Sequence, residues 1–371
     1  MSGFNLSESI WSELFDIMRN YPKALFPINE TPIEILKNVF SQEQAKFLMI
    51  FKTNKSYLTF DQLKRRTDLD DDALEKRLTE LMYIGAIYKK KRGNQNKITY
   101  RLNPLGELMN RRLLRGGSSE KEKHLANLYT KYFGEIREEV QKNYNNLVSI
   151  FKTLPTSTKI VPVEKEIEVP SQVVLPHEEI LMIIDKFDII GVGHCYCRQR
   201  KTLIGEPCKL GNFEPICMAF GIFAEFLIEH DFIKPVSKEK AIEILKKAEE
   251  VGLVHFVFMI PDDPEYSEYG ICSCCKCCCG AFYGNIKGTA LINTFTSYLA
   301  KINNQKCLGT GICAEKCPTE AITLVDSLAT INEERCIGCG LCVYSCPEKS
   351  IILRQTDLRK VIIPPRRFLE L

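Results

Sequence analysis

The chain has 371 residues, is 45% hydrophobic and carries a formal net charge of +3, which allows two or three cored domains and neither demands nor excludes an anionic partner. Its longest mostly apolar stretches, Ile216 to Ile228 and Leu253 to Ile260, are shorter than the roughly 20 residues that span a bilayer, so no membrane span is expected. The start, MSGFNLSESIWSELFDIMRN, lacks the basic, apolar and small-residue succession of a secretory signal, and a cytoplasmic location is expected.

The first elements read as helices. Ser41 with Gln44, and Thr59 with Gln62, make two capping boxes, and Asp70 can cap a third helix whose Leu74, Leu78, Leu81 and Met82 share one face. IGAIYKKKRGNQNKITYRLNP then reads as strand, basic turn around Gly93 and Asn94, and strand. This order resembles a winged helix-turn-helix domain, placed at residues 1–117. Residues 55–101 hold 12 basic and 7 acidic side chains, so Lys89, Lys90, Lys91, Arg92 and Lys97 could meet phosphates. Asp70, Asp71 and Asp72 stand at the head of the would-be recognition helix, where they repel DNA, and docking of a protein is favoured over DNA.

Helical spacing of Leu125, Leu128, Tyr132, Ile136, Val140, Tyr144 and Leu147 predicts one helix over 125–151, packed within the chain or in a homodimer. Prolines 155, 162, 170 and 176 punctuate an extended connection, so residues 118–176 read as helix plus linker, with an edge strand in TKIVPVEKEIEV. In the cysteine-rich α/β segment 177–296, Phe187 to Ile190 reads as a buried strand and Ile216 to His230 as a buried helix carrying Cys217. Ser237 caps a helix with Ala241, Ile244, Leu245 and Ala248 on one face, stopped by Gly252. The GVG at Gly191 to Gly193 has no GxxG continuation, and no Walker lysine pattern follows.

All 17 cysteines lie between Cys195 and Cys346, an odd number that suits metal ligation better than a disulfide framework in a reducing compartment. Ten are in the middle segment: Cys195, Cys197, Cys208, Cys217, Cys272, Cys274, Cys275, Cys277, Cys278 and Cys279. Thiols this dense bind metal or invite oxidation, and at least one centre is expected, iron–sulfur or zinc. Spacing does not choose the ligands, although vicinal pairs such as Cys274 and Cys275 seldom serve one cluster. His194 and His255 are read as ordinary hydrogen-bonded residues, and Arg198 as a surface residue or a counter-charge to an anionic centre.

In residues 297–371, KCLGTGICAEKCP repeats 29 residues later as RCIGCGLCVYSCP. The second copy is a full C-x2-C-x2-C-x3-C-P run, in which three thiolates hold one iron–sulfur cluster and the fourth reaches another. Over Asn303 to Leu353 this resembles the two-cluster bacterial ferredoxins. The resemblance implies one [4Fe-4S] cluster on Cys336, Cys339, Cys342 and Cys317. It implies a second site on Cys307, Cys313 and Cys346, where Thr310 replaces a cysteine. A threonine hydroxyl is a poor iron ligand, so that site is expected to hold [3Fe-4S], or [4Fe-4S] with a non-cysteine ligand, or to have lost its cluster. From about Ala24 to Leu353 the cysteine pattern resembles a family of anaerobe iron–sulfur proteins with an N-terminal helical module.

The expected fold is α+β and multidomain: winged-helix-like, cysteine-rich α/β, and ferredoxin-like. The leading functional reading is non-catalytic electron transfer to a redox partner protein or to the middle centre. A redox- or iron-responsive transcription regulator, and an enzyme working at an open iron, are the alternatives.

Overall fold

The computed structural model describes residues 6–19, 23–92, 97–162, 176–211, 215–259 and 268–368. The basic turn at Gly93 and Asn94, and all but the first five residues of TKIVPVEKEIEV, lie outside them. Helices α1 (Leu6–Met18), α2 (Glu30–Val39), α3 (Gln42–Leu48), α4 (Phe60–Lys64) and α5 (Asp71–Ile84) precede the antiparallel hairpin of β1 (Ile87–Arg92) and β2 (Lys97–Leu102). Both capping boxes are formed, at Ser41 and Thr59, and the Asp70 carboxylate accepts from the Ala73 N–H at 2.8 Å. A bridge from Leu58 to Tyr100 lays the segment before α4 against the hairpin.

Next come α6 (Leu105–Leu114), α7 (Glu120–Lys142) and α8 (Tyr144–Thr153). The single helix expected over 125–151 is thus two. Asn143, at φ −107° and ψ 21°, leaves helical geometry and ends α7, and its side-chain amide donates to the Glu139 carbonyl at 3.2 Å. The apolar stripe of α7 is buried inside the chain, in one core with α1 to α6.

The rest of the chain alternates: β3 (Thr158–Val161), α9 (Pro176–Asp185), β4 (Ile190–Gly193), α10 (Tyr196–Leu203), β5 (Cys217–Phe220), α11 (Gly221–Glu229), β6 (Lys234–Pro235), α12 (Lys238–Glu250), β7 (Val254–Met259), β8 (Glu268–Cys274), α13 (Phe282–Ile286) and β9 (Ile292–Ile302). After them come α14 (Ile312–Lys316), β10 (Ile322–Val325), β11 (Leu328–Ile331), α15 (Leu341–Ser345) and β12 (Ile351–Ile363). One mixed sheet runs β12-β9-β3-β7-β8-β5-β4-β6, so the long strands that flank the C-terminal repeat continue into the cysteine-rich sheet.

Three sequence readings are corrected. Cys217 lies on β5, not on a helix: its four residues are all buried and pair with β4, and Gly221, at φ +56°, turns the chain into α11. A short apolar run cannot by itself tell a buried strand from a helix. The strand expected over Phe187 to Ile190 begins only at Ile190, while Phe187 leaves the sheet and stacks on Phe220 at 5.2 Å. The stretch expected as an edge strand is interior, because β3 is paired on both sides, with β7 and β9.

The N-terminal core extends into the middle segment through Phe226, Leu227, Phe232 and Ile233. Arg111, almost wholly buried, lies over the rings of Tyr88, Phe223 and Phe226 and pairs with Glu107 at 3.0 Å. No helix among the described residues is long and apolar enough to cross a membrane. Phe232 joins the two regions, being 1% exposed and sitting under the Arg115 guanidinium at 4.2 Å. Phe232→Ala should therefore cost about 3–5 kcal/mol, read as a lower urea midpoint for the whole chain.

Candidate metal centres

The C-terminal repeat folds as two matching loops. Each enters a short helix through a left-handed glycine, Gly311 before α14 and Gly340 before α15. Gly309 and Gly338 also have positive φ, and a Cβ on either would collide with a carbonyl oxygen, that of Ser327 or that of Tyr298. These constraints curl each loop around a small cavity. One is lined by Cys317, Cys336, Cys339 and Cys342, the other by Cys307, Thr310, Cys313 and Cys346. The fourth cysteine of each copy thus reaches the loop of the other.

Sulfur-directed donors repeat as well. The Ala321 N–H donates to Cys317 Sγ at 3.2 Å and the Ser350 N–H to Cys346 Sγ at 3.4 Å. Hydroxyls approach the same two sulfurs, Thr319 at 3.6 Å and Ser350 at 3.1 Å. Burial pushes the Cys339 and Cys342 thiols up, which a bound metal would reverse by displacing their protons. Thr310, the counterpart of the buried Cys339, is exposed.

The ten middle cysteines separate into two groups. Six form a closed ring of contacts: Cys195 touches Cys197 and Cys217, Cys279 touches Cys197 and Cys274, and Cys272 touches Cys217, at 3.9 Å, and Cys274. All six line a cavity of about 240 Å³ that Tyr196, Phe256 and Phe258 also border. Strand geometry explains the placement. Cys272 and Cys274 alternate along β8 and face one side of the sheet opposite Phe256 and Val254 of β7, and Cys217 is delivered by β5. Cys195 and Cys197 sit where β4 turns into α10.

The ring thiols shift one another's protonation through their contacts. Hydrogen bonds with neighbouring thiols, Cys197 foremost, hold Cys195 and Cys279 well below the usual thiol range, and Cys217 and Cys274 bring Cys272 down to about 6. Cys197, Cys217 and Cys274 between them are pushed well up. Six buried thiols this close share hydrogen bonds with one another, an arrangement that a cation would convert to full ligation. The Gly280 N–H donates to Cys197 Sγ at 3.2 Å.

The other four, Cys208, Cys275, Cys277 and Cys278, are gathered so that all their sulfurs lie within 4.8 Å of one another. They are the one such set among the described residues, so the six-membered ring beside them is open in the middle. Of the vicinal pairs, Cys274 and Cys275 part between the two groups, as do Cys278 and Cys279, but Cys277 and Cys278 stay together.

Arg198 is buried rather than on the surface. Its guanidinium faces Cys195 of the ring and Cys275 and Cys208 of the four, and one N–H donates to the Ser273 carbonyl at 3.0 Å. His255 is fully buried, its Nδ1 is 3.1 Å from the Ser273 hydroxyl and its Nε2 is 3.2 Å from Glu249. His194 lies against Gly116, with its backbone N–H on the Leu114 carbonyl. Neither histidine stands among the thiols. Tyr196, Thr319 and Ser350 were not legible as site residues; for Thr319 and Ser350 the available signal was their place just after the cysteine-proline pairs.

Residues 300–354 match the family model described as a 4Fe-4S dicluster domain. No curated protein matches the chain. With the clustered cysteines, the match supports an iron–sulfur-binding protein. Gly338→Ala should remove one cluster's worth of iron and sulfide, whereas Gly134→Ala, on α7 with nothing near its added Cβ, should leave both contents unchanged.

Proposed function

We propose that the chain is a cytoplasmic electron-transfer protein in which the ferredoxin-like end passes single electrons to or from a centre held by the six-thiol ring. The observation that carries this reading is one buried apolar cluster that contains Cys339 at one side and Cys274 and Cys279 at the other, with Ile337, Leu341, Phe256 and Phe282 among its members. A cluster on Cys317, Cys336, Cys339 and Cys342 would then adjoin the ring through packed side chains. When bound, iron–sulfur clusters supply one-electron redox centres and need no general acid or base. The residues set their potentials, through the backbone N–H groups on Cys317, Cys346 and Cys197 and through the buried charge of Arg198.

The exposed Thr310 corner supports a second, solvent-facing station where a redox partner protein could deliver or collect electrons. Cys307, Cys313 and Cys346 would hold [3Fe-4S] there, or [4Fe-4S] with a non-cysteine fourth ligand. The thiol load suits an oxygen-poor cell.

The helices α3 to α5 with the β1–β2 hairpin have the order of a winged helix, which we read as a docking module. Two of its basic residues face the chain itself: Lys89 pairs with Glu229 at 2.8 Å and Lys91 with Glu225 at 3.5 Å, both on α11. Regulation through DNA binding is disfavoured by these pairs and by Asp70 to Asp72.

EPR of the oxidised, anaerobically purified chain is expected to show a [3Fe-4S] signal that Thr310→Cys abolishes, and dithionite should add [4Fe-4S] signals that interact magnetically. A chain whose clusters accept no electron would overturn the relay. A duplex DNA shift that follows cluster oxidation at low salt would replace it with the regulator reading.

A further inference from the structure

We propose that Cys208, Cys275, Cys277 and Cys278 form a closed four-thiolate site for a single zinc ion, separate from the six-thiol ring. The inference rests on the reading of the middle cysteines as metal ligands and is independent of the electron relay.

The distances decide the nuclearity. Cys208 Sγ lies 3.8 Å from Cys275 Sγ and 3.7 Å from Cys277 Sγ, and Cys277 Sγ lies 3.7 Å from Cys278 Sγ. Four sulfurs at about 2.3 Å from one zinc, in a tetrahedron, stand about 3.8 Å apart. An iron–sulfur cube asks for a different spacing, because each thiolate caps a different iron and inorganic sulfide fills the space between. The four-sulfur group leaves no such space, whereas the ring encloses a cavity. Four thiolates also complete the coordination of zinc and leave no position for water, which is the pattern of a structural site.

The surroundings fit a dianionic zinc–tetrathiolate. Arg198 supplies a buried positive charge beside Cys208 and Cys275, and the Leu210 N–H donates to Cys208 Sγ. Cys275 and Cys278 are buried, and Cys208 and Cys277 are only partly so. Zinc would bind with loss of the remaining thiol protons to solvent, with no change of oxidation state.

The site has a clear structural task. Cys208 is carried by the irregular connection between α10 and β5, where Gly205 and Gly211 both have positive φ. Cys275, Cys277 and Cys278 are carried by the turn that follows β8. That turn has a ring sulfur immediately on each side, Cys274 before it and Cys279 after it. An ion holding the turn to the connection therefore fixes the spacing of two ring sulfurs. Lys276, in the same turn, donates to the Glu315 carbonyl at 3.0 Å and ties it to α14.

The test uses the full chain purified anaerobically, with zinc and iron measured by mass spectrometry and the zinc K-edge absorption recorded. About one zinc per chain with four sulfur neighbours near 2.3 Å is expected. Cys208→Ser and Cys277→Ser should each lose it while keeping the EPR signals of the C-terminal clusters, and Cys197→Ser should keep it. Zinc with nitrogen or oxygen neighbours, zinc that survives both serine substitutions, or iron in place of zinc at these cysteines would overturn the proposal. Should the variants fail to fold, cobalt added to the zinc-stripped wild-type chain should raise thiolate charge-transfer bands that saturate at one equivalent and yield to zinc; bands that do not saturate there would count against it. Redox-inert clusters with the zinc site intact would sink the relay alone, and working clusters without zinc would sink this site alone.

Discussion

The structure depends on gathering ten thiols on and beside one sheet, with the buried Arg198 guanidinium next to Cys195, Cys208 and Cys275. Sulfur is soft and tolerates burial as a thiol, but ionised sulfurs in contact repel strongly in a low-dielectric interior. Every device near these cysteines relieves that repulsion. Arg198 lies between the ring and the group of four, and backbone N–H groups point at Cys197, Cys208 and Cys279. The one guanidinium offsets a single charge, so complete deprotonation of both groups calls for metal cations.

The sheet is what makes that gathering reproducible. Its period of two sends Cys272 and Cys274 to one face and Ser273 to the other, where the Ser273 hydroxyl meets His255. A shift of one residue in the β7–β8 register would turn Cys272 and Cys274 to the other face and take two sulfurs out of the ring. The helical N-terminal region supports this from outside. Its hairpin and the aromatic cluster around Arg111 pack on α11, the helix that follows β5 and its Cys217.

What could be read from sequence was what local chemistry dictates. The capping boxes at Ser41 and Thr59, the cap at Asp70 and the helix begun by Ser237 follow from side chains meeting backbone groups three residues away. The resemblance of the 29-residue repeat to two-cluster ferredoxins likewise implied which cysteines of the C-terminal segment belong together, and each cavity is lined by such a set. Tertiary pairing was hidden. Cys217 lies in an apolar run that either a strand or a helix could bury, and only its pairing with β4 decides between them. The partition of the six cysteines in CSCCKCCC was hidden too, since it depends on where β8 ends and which face the following turn presents. The sequence leaves Arg198 between a surface residue and a counter-charge because its burial is created by strands and a turn far away in sequence.

The two halves of the C-terminal repeat share a backbone and differ in what each faces. The loop of Cys336, Cys339 and Cys342 turns inward, with Ile337, Cys339 and Leu341 buried against Phe282 and the ring cysteines Cys274 and Cys279. The loop of Cys307 and Cys313 turns outward, with Leu308 70% exposed and Thr310 exposed beside it. A full set of four cysteines is kept on the side that meets the interior, where an iron without a thiolate would have neither water nor sulfur to complete it. The substitution of cysteine falls on the side that meets solvent, where water or the threonine hydroxyl can stand in. Were both loops to hold clusters, an incomplete ligand set would be tolerable only on the side that solvent reaches, and that is the side on which Thr310 lies.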